Sequence, residues 1–308
     1  MHIINQSVEL IKHDIPAYQL IEKAARTCYK SEDKITEGSA EKLVQALAKS
    51  KHYTTFEHEY LYFWLSDVMF AWFQNVYGYK CKYINFARNN YMSGSIRAWI
   101  ELFDLLDSSN STGVDNTMMW LAHNEISLLV PKPTLPQGEE KTYVKLISKD
   151  EVENAKDLSD KDKMVLLPHT LRFTTTRAVA NEAVRHRIVG ISQESQRYVD
   201  YGSNDHQITV IKPMIEDGLC YEHWHYAMLM AECQYMQLRQ NGIKPEIARG
   251  VLPNDCKTEL VMTATEKEWQ HIVNLRYHGT TGIPHPQMRE LMGMAYPILH
   301  EESHGRIS

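Results

Sequence analysis

Over residues 17–30 apolar side chains recur every three or four positions, with Leu20, Ile21, Ala24 and Ala25 on one side, which predicts an amphipathic helix. A second helix is predicted from Ser39, a good N-cap, to about Lys51, with Leu43, Val44 and Leu47 inward. EYLYFWLS (59–66) is aromatic and apolar on both faces, the pattern of a buried strand. RFTTTRAV (172–179) is β-branched and predicts a strand able to pair with 59–66, followed by a helix carrying Glu182, Arg185 and His186. QITVIKP (207–213) reads as another strand, and residues 219–242 as a long helix ended by Gly242. Pro245 opens a short helix through Arg249. KTELVMTAT (257–265) alternates in polarity like a strand, and EKEWQHIVNLR (266–276) is a helix whose last turn presents Asn274 and Arg276.

The middle of the chain is different. Residues 67 to about 90 are aromatic, 91–107 turn helical after Gly94, and 149–163 are strongly charged. Ser, Asn, Gly and Pro mark 108–117 and 131–142 as loops. Residues 67–170 therefore read as a helical and loop insertion within one domain spanning 1–308. No fixed-period repeat is present, and strands and helices follow without a βαβ rhythm. The expected class is α+β, a mainly antiparallel central sheet flanked by helices.

Composition narrows the function. With 43% hydrophobic and 23% charged residues the chain is an ordinary globular one. A net charge of −6 gives no overall field for nucleic acid, so an anion site has to be local. No apolar run approaches the roughly 18 residues that span a bilayer, and the start lacks a signal layout. Five widely spaced cysteines without a CxxC pair point to reduced thiols, a cytoplasmic location and no structural zinc.

The chemistry concentrates in RHRIVGISQESQRYVDYGS (185–203). Arg185, His186 and Arg187 precede hydroxyls and amides, then Arg197, which makes a poor core and a good anion site, since guanidinium fits phosphate bidentately. A solvated basic face is the plainer account of an arbitrary RHR triplet. In HYTTFEHEY (52–60), His52, Thr54, Glu57 and His58 meet at a helix-to-strand junction. The spacing is not that of a zincin helix, so no metal is expected, and a Thr-capped turn with a paired Glu explains the motif alone. Arg249 in EIARGVLP (246–253) reads on its own as a surface residue, and Arg276 in the last helical turn as a cation that offsets the helix dipole.

Taken together the motifs resemble the flavin-dependent thymidylate synthases. IEKAARTCYKSEDK (21–34) and HYTTFEHEYLYFWL (52–65) look like the family's N-terminal segments, VRHRIVGISQESQRYVDY (184–201) like its signature, and EIARGVLP and NLR (274–276) like its C-terminal motifs. YMSGSIRAW (91–99) is similar to a stretch of longer members. The resemblance implies synthesis of dTMP from dUMP, with methylenetetrahydrofolate as one-carbon donor, reduced FAD as hydride source and NADPH as reductant, in a homotetramer whose sites draw on several subunits. It implies that Arg185, His186 and Arg187 contact FAD, with Arg185 also near dUMP, and that Thr54 and Glu57 help hold FAD. Gln193, Glu194, Ser195, Gln196 and Arg197 would form the dUMP loop, with Arg249 completing the phosphate site from a neighbouring subunit. His52 would lie near flavin and folate, and Glu182 on the nucleotide side. Thr265 and His271 align with flavin-contacting positions. Arg276 would be catalytic, its cation favouring the deprotonated uracil ring. Ser195 has no base beside it in sequence and would bind phosphate.

The chain departs from the pattern at Ser192-Gln193-Glu194, where many members carry Asn-Glu, so both Gln193 and Glu194 are candidates for that contact. Two other readings stand beside this one. One is a flavin-dependent methylase of another pyrimidine nucleotide. The other is a non-enzymatic nucleotide or nucleic-acid binding module.

Overall fold

The computed structural model describes residues 1–77, 83–107, 113–130, 144–202 and 208–308. In chain order its elements are β1 (His2–Ile4), β2 (Ser7–Ile11), α1 (Ala17–Tyr29), α2 (Ser39–Lys49), β3 (Tyr60–Leu65), α3 (Asp67–Tyr77), β4 (Ile84–Phe86), β5 (Tyr91–Ser95), α4 (Ile96–Asp107) and α5 (Gly113–Glu125). There follow β6 (Val144–Ile147), α6 (Lys149–Glu153), α7 (Asp160–Leu166), β7 (Pro168–Thr176), α8 (Arg177–Ala183), β8 (Gly190–Gln193) and β9 (Thr209–Ile211). The last are α9 (Gly218–Gln240), α10 (Pro245–Ala248), β10 (Lys257–Thr265), α11 (Glu266–Val273) and α12 (Pro286–Glu302).

The class is α+β, and the strands divide between two antiparallel four-stranded sheets, ordered β2-β7-β10-β8 and β4-β5-β3-β6, with a small parallel pair β1-β9. The expected pairing of 59–66 with 172–179 does not occur. β10 runs against the whole of β7, from Lys257 opposite Thr176 to Thr265 opposite Pro168, and β2 takes the other edge of β7. β3 is left to β5 and β6 in the second sheet. β7 also stops at Thr176, whose hydroxyl caps α8 by accepting from the Val179 N–H, so 177–179 are helical.

The amphipathic stripe of α1 serves both halves. Ile21 and Ala25 join the core formed by α2 to α5 and the second sheet, while Leu20 and Ala24 pack with Val261 of β10. The other face of β10 presents Leu260, Met262 and Ala264 to α11 and α12, among Trp269, Leu291 and Leu299. β10 is therefore covered on both faces, and its alternation marks buried polar groups, not a wet side. Thr258 and Thr263 are fully buried and hydrogen-bonded.

Three local expectations are corrected. α2 is capped at Gly38, whose φ of 71° suits glycine, while the Ser39 hydroxyl accepts from the Thr36 N–H. Residues 113–117 lie in α5 and not in a loop, whereas 108–112, 131–142 and Gln207 lie outside the described residues. The helix from Glu266 ends at Val273 and continues as a π-helical turn, Asn274–His278.

Candidate functional site

The signature stretch begins where α8 ends. Val184 closes the helix, and the N–H groups of Arg185 and His186 bond back to the carbonyls of Glu182 and Ala183. This turn leaves Arg185 and Arg187 exposed and draws His186 inward to 8% exposure. Arg276 meets it from the π turn. Its Nε donates to His186 Nε2 at 3.3 Å, its Nη1 to Glu182 Oε2 at 3.2 Å and its Nη2 to the Glu182 carbonyl at 3.4 Å. A π turn widens the helix by one residue and recurs at functional sites. Burial, then Arg276, then His271 depress the His186 pKa to about 4, so its ring is neutral near pH 7. The His271 ring stands edge-on to it, 6.3 Å between centroids.

A second group surrounds a cavity of about 140 Å³ lined by Glu57, Tyr83, Arg97, Arg187, Ile188 and Thr265 among others. The turn 53–58 and β8 are pressed together here. A Cβ on Gly190 would lie 2.8 Å from the Glu57 Cβ and 2.9 Å from its carbonyl oxygen, so only glycine permits the approach. Arg97 donates to Glu57 and Glu101. Burial nonetheless raises the Glu57 pKa, with Arg97 opposing. His52 and Thr54 sit on the exposed side of the same turn.

The third group is the loop 193–197. Glu194, 2% exposed, accepts from Lys257 Nζ at 2.9 Å and from the Tyr201 hydroxyl at 3.0 Å, so its carboxylate is engaged inside the protein. Gln193 donates to the Thr258 hydroxyl at 3.4 Å. The Ser195 N–H bonds to the Cys28 carbonyl, and the Ser195 hydroxyl accepts from the Arg197 N–H. Gln196 is 7% exposed, and its buried Nε2 has no partner. Arg197, exposed, lies 3.9 Å from Glu246 of α10, which brings the segment carrying Arg249 to this loop.

Behind these groups runs a buried polar row. His58, fully buried, shares hydrogen bonds with the hydroxyls of Ser192 (2.9 Å) and Thr263 (2.8 Å). Thr263 bonds to Thr170 at 2.6 Å, and Thr170 to His13 Nε2 at 2.7 Å. Burial carries the His58 pKa down to about 3, with His13 adding to it, so His58 is a neutral structural tie between the turn, β8 and β10.

The structure thus brings Glu182, His186, His271 and Arg276 together around one point, Glu57, Arg187 and Thr265 around another, and residues 193–197 with α10 around a third. Sequence reasoning missed Arg97, Tyr83, Lys257 and Tyr201. Arg97 and Tyr201 carried a signal, since they lie in YMSGSIRAW and in the signature, whereas Lys257 carried none.

Comparison with known proteins places these motifs. The family model described as Thy1, thymidylate synthase complementing protein, matches residues 9–77 and 166–303 and leaves 78–165 outside. The flavin-dependent thymidylate synthase of Pyrococcus furiosus is 31% identical over 103 residues, covering 33% of this chain and 42% of that protein. That of Geobacter sulfurreducens is 33% identical over 101 residues (33% and 44%), and that of Thermococcus kodakarensis 30% over 144 residues (41% and 59%). The match thus spans less than two thirds of each of these relatives. A crystal structure of a UMP/dUMP methylase, PolB from Streptomyces cacaoi bound with 5-Br dUMP, superposes with a TM-score of 0.42 at 17% identity over 100% of both chains, too loosely to carry an argument. With its signature turn, its FEH turn and its C-terminal arginines all inside the two matched segments, the chain belongs to the thymidylate synthase complementing protein family.

Proposed function

We propose that this protein makes dTMP from dUMP as a flavin-dependent thymidylate synthase. The observation that carries the reading is Arg276, held on a π turn within reach of both Glu182 and His186. A guanidinium aimed at the N3–C2 edge of a uracil favours loss of the N3 proton. The resulting density at C5 is what attack on a one-carbon donor requires, and a fixed cation needs little reorganisation as charge develops. Glu182 orients Arg276 and is exposed enough to exchange it for a ligand.

The residues suit a flavin nucleotide. The cavity, about 140 Å³ and open to solvent, offers the guanidinium groups of Arg187 and Arg97, the Glu57 acceptor and the apolar faces of Ile188 and Tyr83, a set suited to phosphates and a flat ring. Arg187, Glu57 and Thr265 would hold FAD, with Arg185, His186, His271 and Thr54 at its margin. Bound and reduced, FAD supplies a hydride, with NADPH as reductant and methylenetetrahydrofolate as carbon donor. Residues 193–197 would take the dUMP phosphate, and the buried, unpaired amide of Gln196 supports a ligand acceptor there. Because Glu194 is occupied by Lys257 and Tyr201, Gln193 is the better candidate for the nucleotide contact.

Neighbouring copies would complete the sites, with His52 and Arg249 contributing across the interface. Leu219, Tyr226, Leu229 and Met230 lie exposed on one face of α9, a surface suited to a homotetramer. The segment 67–170 is read as an insertion that adds Arg97 and Tyr83 to the flavin cavity. No helix among the described residues is long and apolar enough to cross a membrane. A second reading, methylation of another pyrimidine nucleotide, is favoured by the altered triplet 192–194 with its engaged Glu194.

The test is the visible spectrum of protein loaded with FAD and desalted, before and after dUMP, followed by dTMP formation with methylenetetrahydrofolate and NADPH. Retained flavin perturbed by dUMP, with dTMP produced, is expected. Retained flavin that responds only to another pyrimidine nucleotide favours the second reading, and no retained flavin at excess FAD rejects both.

A further inference from the structure

We propose that His186, Glu268 and His271 bind a transition-metal ion of the zinc, cobalt and nickel class, beside Arg276. One ligand atom from each of the three lies within 4.8 Å of the others. Glu268 and His271 stand three residues apart on α11, the Glu-x-x-His spacing that sets a carboxylate and an imidazole on one helix face and that carboxylate-bridged metal proteins use. His186 comes from the turn after α8, so the three ligands tie two separate elements together. Two imidazoles and one carboxylate form a donor set that takes zinc and leaves a coordination position open.

The geometry needs only a small adjustment. Ligand atoms about 2.1 Å from a tetrahedral ion are about 3.4 Å apart, so no separation has to close by more than about 1.4 Å. His271 is exposed and Glu268 half-buried, so both can change rotamer and the ion can approach from solvent. His186 is the fixed member, buried and already neutral.

Arg276 gives the site its particular character. Its Nε–H points at His186 Nε2, which then serves as an acceptor and leaves the ring proton on Nδ1. An ion on Nε2 takes the lone pair that Arg276 uses. An ion on Nδ1 moves the ring proton to Nε2, against the Arg276 donor. Metal binding and the Arg276–His186 hydrogen bond therefore exclude one another, and an ion would leave Arg276 anchored on Glu182 alone. Arg276 also adds a positive charge that opposes the ion, so its removal should strengthen binding.

The test is calorimetric titration of the full chain with ZnCl₂ in chelator-free buffer at pH 7.5, with zinc-edge X-ray absorption to count imidazole ligands. One zinc per chain with two imidazoles is expected. His271→Ala and Glu268→Gln, both at accessible positions that should leave folding intact, should each weaken it at least tenfold, and Arg276→Ala should tighten it several-fold. Zinc affinity unchanged in His271→Ala and Glu268→Gln would assign the ion to other surface histidines and overturn the site, as would the absence of any binding. Weaker binding in Arg276→Ala would overturn the competition. These readings follow the metal and not turnover, so they hold whether or not the flavin reading fails.

Discussion

Gly190→Ala should loosen the joint on which the candidate cavity is built. The new methyl would sit 2.8 Å from the Glu57 Cβ and 2.9 Å from the Glu57 carbonyl oxygen. Carbon atoms prefer about 3.5–4.0 Å, so it arrives about 0.7 Å too close to backbone that cannot swing away like a long side chain. Overpacking of this kind costs about 1–3 kcal/mol. β8 is an edge strand whose strand pairing is with β10, so relief comes by moving β8 off the 53–58 turn. That motion stretches the Ser192–His58 hydrogen bond, worth about 1 kcal/mol more. A loss of about 2–4 kcal/mol is expected in urea unfolding, as a lower midpoint with an unchanged slope, together with weaker FAD retention. A loss below about 0.5 kcal/mol, within the range of an ordinary surface substitution, would refute the tight contact between turn and strand.

Arg276→Ala should fold with near-native stability and lose at least a hundredfold in dTMP formation, and an NMR titration should show His186 rising from about 4 once its cationic neighbour is gone. Burial pushes the Glu259 carboxyl up, but Lys257 and Lys30 outweigh it and bring it down to about 2 from 4.5. Its folded value lies below its unfolded one, so its ion pairs stabilise above pH 4.5 and that contribution fades as pH falls toward 2. Glu259→Gln should cost at most about 3 kcal/mol at pH 7 and much less near pH 2, measured by urea unfolding at both. Tyr226→Glu with Met230→Glu should convert a tetramer to smaller species in light scattering without loss of helix content, and an unchanged mass would remove α9 from the interface.

Elements fixed by local periodicity were legible in the sequence. α1 shows its stripe in Leu20, Ile21, Ala24 and Ala25, and α9 ends near Gly242, whose φ is 80°. Pairing was not legible, because β3 and β7 both read as strands and the choice depended on β10, which runs along the whole of β7. The polarity of β10 misled because Thr263 looks solvent-facing until His58, from a segment 205 residues away, covers it. Within the site, the residue types and their grouping around Arg276 were readable, since each arginine lay in a motif. Glu194 was not, because Lys257 belongs to no motif and Tyr201, although it closes the signature, shows its bond to Glu194 only in the fold. The π turn under Arg276 leaves no mark in a pattern of apolar spacing.

The buried row from Ser192 to His13 also has a direction. Each hydroxyl in it has one proton to give. His13 Nδ1 lies 3.5 Å from a Glu59 carboxylate oxygen, which favours a proton on that nitrogen and leaves Nε2 to accept from Thr170. Thr170 must then receive from Thr263, Thr263 from His58 Nδ1, and His58 Nε2 must accept from Ser192. A carboxylate that never touches His58 thus selects its tautomer from across the sheet, and reversing that charge would turn every hydroxyl in the row around.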